Sequence, residues 1–411
     1  MAFFGTAYLA RTLEPVGFGI IGFANALSKG IVPSLLVRDE TCITDSRIMW
    51  KRKIGLLSAI VACALLPAHF ARAEAIAVRS VVPEAFADGQ QPQVTVTPAG
   101  VIIVVFAKGQ SIYSVQSSDQ GENFSAPVKI ADLPGLMVGM RRGPRVAATD
   151  KRIIVSAPGP ELASYLSQDA GQTWKPAGKI NDKPGAASEG LQNITALPDG
   201  SFYAVWLDSR NKPGAQIEGA RLEPTVTSWS KNVMIYQSPD KSVCECCHPS
   251  VASDGKNRVV VMWRNWLGGN RDFYISESQD RGERFSPASK LGTESWPLKA
   301  CPMDGGGIVA VSNVGNFAAW RRQGDVFLSA PATSEIKLGA GAQPVLARVN
   351  GQTLCVWQQG ARLAVKPENG EMQYVSGTYP SLVASPDGQR AYLVWESAEG
   401  NHTIPRFAVV R

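Results

Sequence analysis

Histidine and cysteine are scarce in this sequence. Its 411 residues include three His and seven Cys, and only His248 and His402 follow residue 73. A His-rich catalytic metal centre needs about three imidazole ligands around one ion. The sequence therefore excludes that class of site in the region after residue 73.

Long runs of one kind of charge are also missing. The net charge is +6, but the Lys and Arg residues form no extended block. Nucleic-acid-binding domains usually concentrate basic residues in a patch or stripe. We therefore expect no nucleic-acid partner.

A leader-like segment begins at residue 49. The basic stretch Met49–Lys53 precedes an apolar run, 54–66, and Ala71-Arg72-Ala73 follows. This order is typical of a secretory signal peptide, and the apolar run is too short for a stable membrane span. We predict a signal peptide at 49–73 and a single exported domain at 74–411, periplasmic or secreted. An N-terminal anchoring helix is the alternative.

Residues 1–48 lie upstream of this complete leader. We interpret them as an over-called N-terminus, unstructured and without a role in the fold.

The rest of the chain repeats with a period of roughly 50 residues. Each copy has a short turn, an apolar strand, a tight Gly-containing or polar turn, and a second strand that often ends in Trp. Asp-Gly and Asn-Gly turns between paired strands are strong hairpin signals. The seven copies begin at Pro92-Gln93-Val94, Pro144-Arg145-Val146, Asn193-Ile194, Pro249-Ser250-Val251, Gly307-Ile308-Val309, Pro344-Val345-Leu346 and Pro380-Ser381-Leu382.

A second motif, Ser-x-Asp-x-Gly-x-x-aromatic, occurs three times in phase with this repeat. It spans residues 117–124, 167–174 and 278–285, and Trp229 marks a degenerate copy. The motif resembles the Asp box, or bacterial neuraminidase repeat, of the sialidase-like β-propellers. That resemblance implies a structural turn between the third and fourth strands of a blade, away from the active face.

The repeat and the resemblance together predict an all-β fold, a β-propeller of four-stranded blades. The repeat count gives seven blades, whereas true sialidases have six, which is the alternative. The last repeat, 380–411, shows only three strands, so we expect the segment 76–82 to complete it. No segment after residue 73 has helical periodicity.

Loop length distinguishes the two faces of the predicted disc. The loops that lead into each innermost strand are long in the first repeats, as are those between the second and third strands. The turns on the other face are minimal, so the long-loop face is the expected binding face. We assign ligand recognition to loops 131–145, 207–216, 237–249, 264–272 and 293–304.

A cysteine cluster lies on this face, in Cys244-Glu245-Cys246-Cys247-His248, and Cys301 ends the next loop. Export favours disulfides, with Cys246 and Cys247 paired elsewhere rather than together. Alternatively, the thiols with His248 or Met303 bind soft copper or zinc. A redox-active thiol pair is the third possibility. Cys355 is expected to be a buried thiol within a strand.

Sialidase chemistry, as the resemblance implies it, needs three arginines gripping a carboxylate, a Tyr–Glu nucleophile pair and an Asp acid/base. Arg forks match carboxylates with paired hydrogen bonds. The family's Phe/Tyr-Arg-Ile-Pro motif is missing here, and no Tyr–Glu pair is evident. The candidate catalytic residues are Arg145, Arg264, Arg271, Asp208, Asp272 and Tyr379; the candidate ligand-binding residues are Arg141, Arg142, Arg210, Asp304 and Glu189.

The arginines on one face indicate an anionic small molecule or glycan as the partner. We therefore expect a binding propeller whose site is braced by the cysteine cluster. A sialidase-type glycoside hydrolase and a periplasmic metal-handling protein remain the alternatives.

Overall fold

The computed structural model describes residues 75–411, and these form 28 strands and one short 3-10 helix, Glu84–Phe86. The predicted signal peptide at 49–73 and the segment 1–48 lie outside the described residues. No helix in the described part of the chain is long and apolar enough to cross a membrane.

The strands follow one another with short connections on one face and longer ones on the other. In the first half they are β1 (Arg79–Ser80), β2 (Gln90–Val96), β3 (Ile102–Lys108), β4 (Ser111–Ser117), β5 (Val128–Asp132), β6 (Arg145–Ala148), β7 (Ile153–Pro158), β8 (Leu162–Ser167), β9 (Lys175–Lys179), β10 (Gln192–Ala196), β11 (Phe202–Asp208), β12 (Gln216–Leu222) and β13 (Val233–Tyr236). In the second half they are β14 (Ser250–Ser253), β15 (Val259–Arg264), β16 (Phe273–Ser278), β17 (Ser289–Lys290), β18 (Gly307–Val311), β19 (Gly315–Arg322), β20 (Asp325–Ser329), β21 (Ile336–Ala340), β22 (Ala342–Val349), β23 (Gln352–Gln359), β24 (Arg362–Pro367), β25 (Gln373–Ser376), β26 (Thr378–Ala384), β27 (Ala391–Glu399) and β28 (His402–Val410).

These strands form seven antiparallel four-stranded sheets, so the predicted propeller has seven blades, not six. Blades 1 to 6 each take four consecutive strands, from β2–β5 to β22–β25. Blade 7 combines β26, β27 and β28 with β1, whose Arg79 pairs with Phe407. The early segment thus completes the last blade, as predicted, although the paired strand covers only two residues.

The first strand of each blade contacts the first strands of its two neighbours, which closes the ring around a central channel. Among residues 75–411, a buried hydrophobic cluster fills each of the seven blade interfaces. The second strands of five blades contribute a buried tryptophan, namely Trp206, Trp263, Trp320, Trp357 and Trp395. Burial of one such side chain contributes about 1.5–3 kcal/mol or more, so the interfaces hold the ring together.

The Asp boxes lie between the third and fourth strands, where the resemblance placed them. In the box of blade 2, Gly171 N donates to Ser167 Oγ at 2.8 Å and Thr173 N donates to Asp169 Oδ1 at 2.9 Å. These hydrogen bonds, led by those with Thr173, lower the pKa of Asp169 to about 2. Gly171 has a φ of +88°, and a Cβ there would lie 2.0 Å from Nε2 of Gln116 in blade 1. Each box therefore fixes its own turn and allows the neighbouring blade to approach closely.

Candidate functional site

The central channel is lined by the first strands of all seven blades and has a volume of about 250 Å³. We call its end on the long-loop side the mouth. Two loops at the mouth carry the cysteines: the cysteine loop, residues 237–249, and the facing loop, residues 291–306. They precede the first strands of blades 4 and 5, so they are neighbours around the opening.

A recurring backbone feature shapes the mouth at blades 1, 6 and 7. Their first strands begin with Gly-x-x-Pro, and the residues before proline, Gln91, Gln343 and Tyr379, have φ angles of 51°, 57° and 53°. The strand register shifts at each of these positions. Positive φ costs a non-Gly residue of order 1–3 kcal/mol, and such strain concentrates at functional sites.

Arg141 extends across the mouth. It belongs to the loop before blade 2, yet its guanidinium donates to Gln343 Oε1 and O, both at 2.9 Å, and to Pro380 O at 2.8 Å. These acceptors lie at the starts of blades 6 and 7. The buried side chain therefore partly closes the channel opening.

Arg145, at the start of β6, lies beside Arg141 and is also buried. Its guanidinium donates to the carbonyl oxygens of Pro144, at 3.2 Å, and Arg141. Neither guanidinium forms a salt bridge with a carboxylate of the described residues. Burial lowers the pKa of Arg141 to about 10 and that of Arg145 to about 9. Both groups remain cationic at neutral pH, so the mouth carries positive charge that is not paired in a salt bridge, and the nearby carboxyl groups of Asp304 and Glu396 only partly offset the effect of burial on Arg141.

His248 is buried in the channel wall. Its Nδ1 has no hydrogen-bond partner within the described part of the chain. Burial, and then the charges of Arg141 and Arg145, lower the pKa of the imidazole well below its usual value, so the ring is neutral. A Cβ on Gly305 would lie 1.7 Å from Cε1 of His248, which explains the glycine there. The cysteine loop and the facing loop thus meet at this ring.

Asp304 connects the facing loop to blade 6. Its Oδ1 accepts from the backbone N–H groups of Gly305, at 2.8 Å, and Gln343, at 2.9 Å. Its Oδ2 has no hydrogen-bond partner among residues 75–411, and Nη1 of Arg321 lies 4.0 Å away. Burial raises the pKa of this carboxyl group.

Arg264 and Arg271 lie together in blade 4 but do not line the channel. The Arg264 guanidinium stacks between Phe273 and Trp296, with its carbon 4.2 and 5.0 Å from the ring centroids. It donates to Arg271 O at 2.8 Å. Arg271 in turn donates from Nη1 to Cys244 Sγ at 3.0 Å. These arginines therefore lie beside the sulfur cluster rather than beside Arg145.

Four cysteines and one methionine form that cluster. Cys246 and Cys301 form a disulfide that joins the two loops, whereas Cys244 and Cys247 are free and buried. Cys244 Sγ lies 3.5 Å from Cys247 Sγ, and Met303 packs against the group. The three sulfurs of the cysteine loop lie within 4.8 Å of one another. With Cys246 in the disulfide, only two thiols remain, fewer than the three or four ligands of a usual zinc site.

Other predicted site residues brace the loops. Arg210 binds Asp208 through both oxygens, at 2.9 and 3.0 Å, and Asp208 also accepts from Trp206 Nε1. Arg142 donates to Glu189 O at 2.6 Å and pairs with its carboxylate at 3.4 Å.

Asp272 likewise bonds to its own blade and to the facing loop. It accepts from Trp296 N at 2.8 Å and pairs with Lys290 at 3.3 Å. None of these five side chains, from Arg142, Glu189, Asp208, Arg210 and Asp272, lines the channel. Their polar groups are engaged in holding neighbouring loops together.

The comparison with protein families agrees with the seven-bladed ring and its Asp boxes. A family model for the BNR repeat-like domain matches residues 143–391, more than half of the chain. The chain belongs to the BNR repeat-like family.

Solved structures similar to this BNR repeat-like protein include glycosidases. An α-L-arabinanase from Penicillium chrysogenum, complexed with arabinobiose, is 14% identical; the match covers 81% of this chain and 97% of that chain, with a TM-score of 0.48. The NanB sialidase from Streptococcus pneumoniae is 10% identical, with 79% and 68% covered and a TM-score of 0.47. The Hadza microbial sialidase Hz136 is 13% identical, with 79% and 66% covered and a TM-score of 0.46. None of the curated proteins matches the chain.

Three residues at the mouth of this BNR repeat-like propeller were not anticipated from the sequence: Gln91, Gln343 and Glu396. Glu396, in β27, accepts from Gln91 N and, at 3.0 Å, from Gln91 Nε2. Burial raises the pKa of its carboxyl group. The recurring Gly-x-x-Pro could have revealed the two glutamines, because it marks the start of three innermost strands. Nothing local marks Glu396.

Proposed function

We propose that this protein is an exported binding propeller that takes up a small anionic ligand, such as an acidic sugar, at the channel mouth. The observation that carries the proposal is the pair of buried guanidinium groups of Arg141 and Arg145. Among the described residues they hydrogen-bond only to uncharged acceptors, the side-chain amide oxygen of Gln343 and backbone carbonyl oxygens. A buried cation without a salt-bridge partner is costly, and an anion in the channel would offset that cost. The neutral His248 ring supplies, in the same wall, a further nitrogen to which no described residue bonds.

The size of the channel limits the ligand. A volume of about 250 Å³ lies below the roughly 300–1,000 Å³ of pockets for drug-sized molecules. A single carboxylated sugar unit or an inorganic oxyanion suits this space better than an oligosaccharide. The disulfide between the cysteine loop and the facing loop supports the proposal that the cysteine cluster braces this site.

Binding is favoured over hydrolysis by the positions of the arginines. A sialidase-type grip would need Arg145, Arg264 and Arg271 to converge on one carboxylate. Arg145 lines the channel, whereas Arg264 and Arg271 face carbonyl oxygens, aromatic rings and Cys244. We therefore propose recognition, with the arginine pair at 141 and 145 as the anion contact.

Isothermal titration with N-acetylneuraminic acid, galacturonic acid and neutral arabinobiose tests the proposal. We expect at least one acidic sugar to bind and arabinobiose not to bind. Arg145→Gln should weaken acidic-sugar binding at least tenfold, since a charge-assisted hydrogen bond contributes about 1.5–3 kcal/mol.

Arg152→Gln is the matched control. Arg152 lies in the same blade on the opposite face, and its guanidinium also bonds only to backbone carbonyls, those of Gly200, Glu223 and Val226. This variant should bind like the unchanged protein. Absence of binding by both acidic sugars, or equal affinity in Arg145→Gln, would contradict the proposal.

A further inference from the structure

The sulfur cluster at the mouth brings two free thiols against a disulfide. Cys244 Sγ lies 3.7 Å from Cys246 Sγ, one of the two bonded sulfurs. Thiol–disulfide exchange proceeds by attack of a thiolate on a disulfide sulfur, so contact between nucleophile and target is its first requirement. Cys244 and Cys246 already meet that requirement within one loop.

The surroundings of Cys244 favour its reactive form. Arg271 Nη1 donates to Cys244 Sγ at 3.0 Å, and no carboxylate of the described residues pairs with that guanidinium. The hydrogen bond with Cys247, and then the charges of Arg264 and Arg271, outweigh burial and lower the pKa of Cys244 to about 6. Cationic neighbours stabilise a thiolate but disfavour a bound metal cation, so this arrangement suits a nucleophile better than a metal ligand.

The four cysteines differ in their access to solvent. Cys244 and Cys247 are fully buried, and Cys246 is 9% exposed, whereas Cys301 is exposed. Exchange within the loop would therefore release the one sulfur that external molecules can reach. A leaving thiolate at the surface is also better solvated than one held in the interior.

We propose that the four cysteines form a thiol–disulfide exchange site, with Cys244 as nucleophile, the Cys246–Cys301 bond as its internal target and Cys301 as the outlet to external thiols and disulfides. In the first step the Cys244 thiolate forms a bond to Cys246 Sγ, the Cys246–Cys301 bond breaks, and Cys301 leaves as a thiolate. In the second step Cys247 loses its proton and attacks Cys244 Sγ, and Cys246 leaves as a thiolate that takes up a proton. One disulfide is kept throughout, so no oxidant or reductant is consumed.

Alkylation without reductant tests this directly. The folded protein is incubated with N-ethylmaleimide at neutral pH, then unfolded, digested with trypsin and analysed by mass spectrometry. Cleavage after Lys299 separates Cys301 from the other three cysteines, which share the peptide between Lys241 and Lys256. We expect maleimide to accumulate on the Cys301 peptide while a disulfide appears within the 242–256 peptide.

Variants assign the steps. Cys244→Ser should slow labelling of Cys301 at least tenfold while the Cys246–Cys301 disulfide persists. Cys247→Ser should still label Cys301, because the first step does not use Cys247. Arg271→Gln, which keeps every sulfur, should slow labelling several-fold. Cys355→Ser alters only a buried thiol in β23 and should behave like the unchanged protein.

Three results would overturn the proposal. Cys301 labelling that is equally fast in Cys244→Ser would remove the nucleophile. An intact Cys246–Cys301 linkage after days with maleimide would show that no exchange occurs. Four reduced cysteines holding copper or zinc in the purified protein would assign the cluster to metal binding. None of these results depends on whether an acidic sugar binds at the mouth.

Discussion

Individual charged residues in this propeller occupy places from which water is largely excluded. Glu218, in β12, is 2% exposed, and its Oε2 has no hydrogen-bond partner among the residues that the structure describes. Burial raises the pKa of Glu218 to about 7, although Arg210 lies 3.7 Å away and acts in the opposite direction. Arg210 forms a bidentate salt bridge with Asp208, so its interaction with the Glu218 carboxylate is the weaker of the two.

The raised pKa of Glu218 predicts a pH-dependent stability. Between about pH 4.5 and 7 the folded protein holds a proton that the unfolded chain has released. This carboxyl group therefore lowers the free energy of unfolding as the pH rises through that window. The melting temperature of Glu218→Gln minus that of the unchanged protein should be larger at pH 8 than at pH 5. The increase should be roughly 2 °C for each kcal/mol that the charged Glu218 costs in the free energy of unfolding. Thermal unfolding at both pH values measures this, and an identical difference at the two values would refute it.

At the scale of elements, local motifs were predictable and contacts between loops were not. The Asp box is a single turn held by hydrogen bonds among Ser167, Asp169 and Gly171, so the spacing of these residues is enough to predict it. Gln343 and Arg141 meet across the channel, 202 positions apart in the chain. No spacing in the sequence encodes such a contact, which depends on how the ring closes.

The cysteine pairing lies between these two cases. The sequence placed both loops on one face, and the structure joins them through Cys246 and Cys301. The sequence disfavoured a bond between Cys246 and Cys247 and left the other two pairings of the four cysteines open, because the choice depends on side-chain directions within the cysteine loop. Arg264 and Arg271, beside the cluster, were predicted as candidate catalytic residues, and their placement next to Cys244 follows from the fold of blade 4.

The contact between the cysteine loop and the facing loop depends on a residue without a side chain. Gly305→Ala would place a methyl group 1.7 Å from the His248 ring, so the buried imidazole must move. We expect a loss of about 1–3 kcal/mol in the free energy of unfolding, measured in urea.

Two further variants show whether His248 is the cause. Gly324→Ala, at a turn with nothing within 4 Å of the added carbon, should leave stability nearly unchanged. Combining Gly305→Ala with His248→Ala should cost less than the sum of the single changes. Strict additivity would mean that the two residues do not interact.

At the scale of the whole molecule, the ring depends on the pairing of distant chain segments. The repeat count predicted seven blades because each blade has its own turn and strand pattern in the sequence. The three-stranded last repeat predicted the closing strand for a simple reason: an incomplete sheet leaves backbone groups unpaired. In the structure, Val81 and Val82 follow that strand and are buried against blades 7 and 1.

Removal of the closing segment should therefore weaken the ring. A chain that begins at Pro83 loses β1 and the two buried valines, and we expect the free energy of unfolding to fall by about 3–5 kcal/mol. The control is a chain that begins at Ala75 and keeps the segment. Chemical unfolding of both proteins gives the comparison, and equal midpoints would show that β1 contributes nothing to closure.

Blade 7 also sets an order of events during protein synthesis. Its other three strands come from the end of the chain, so β1 has no partner until residues 402–410 have left the ribosome. Until then the ring stays open, and blades 1 and 6 expose to chaperones or neighbouring chains the surfaces that blade 7 later covers.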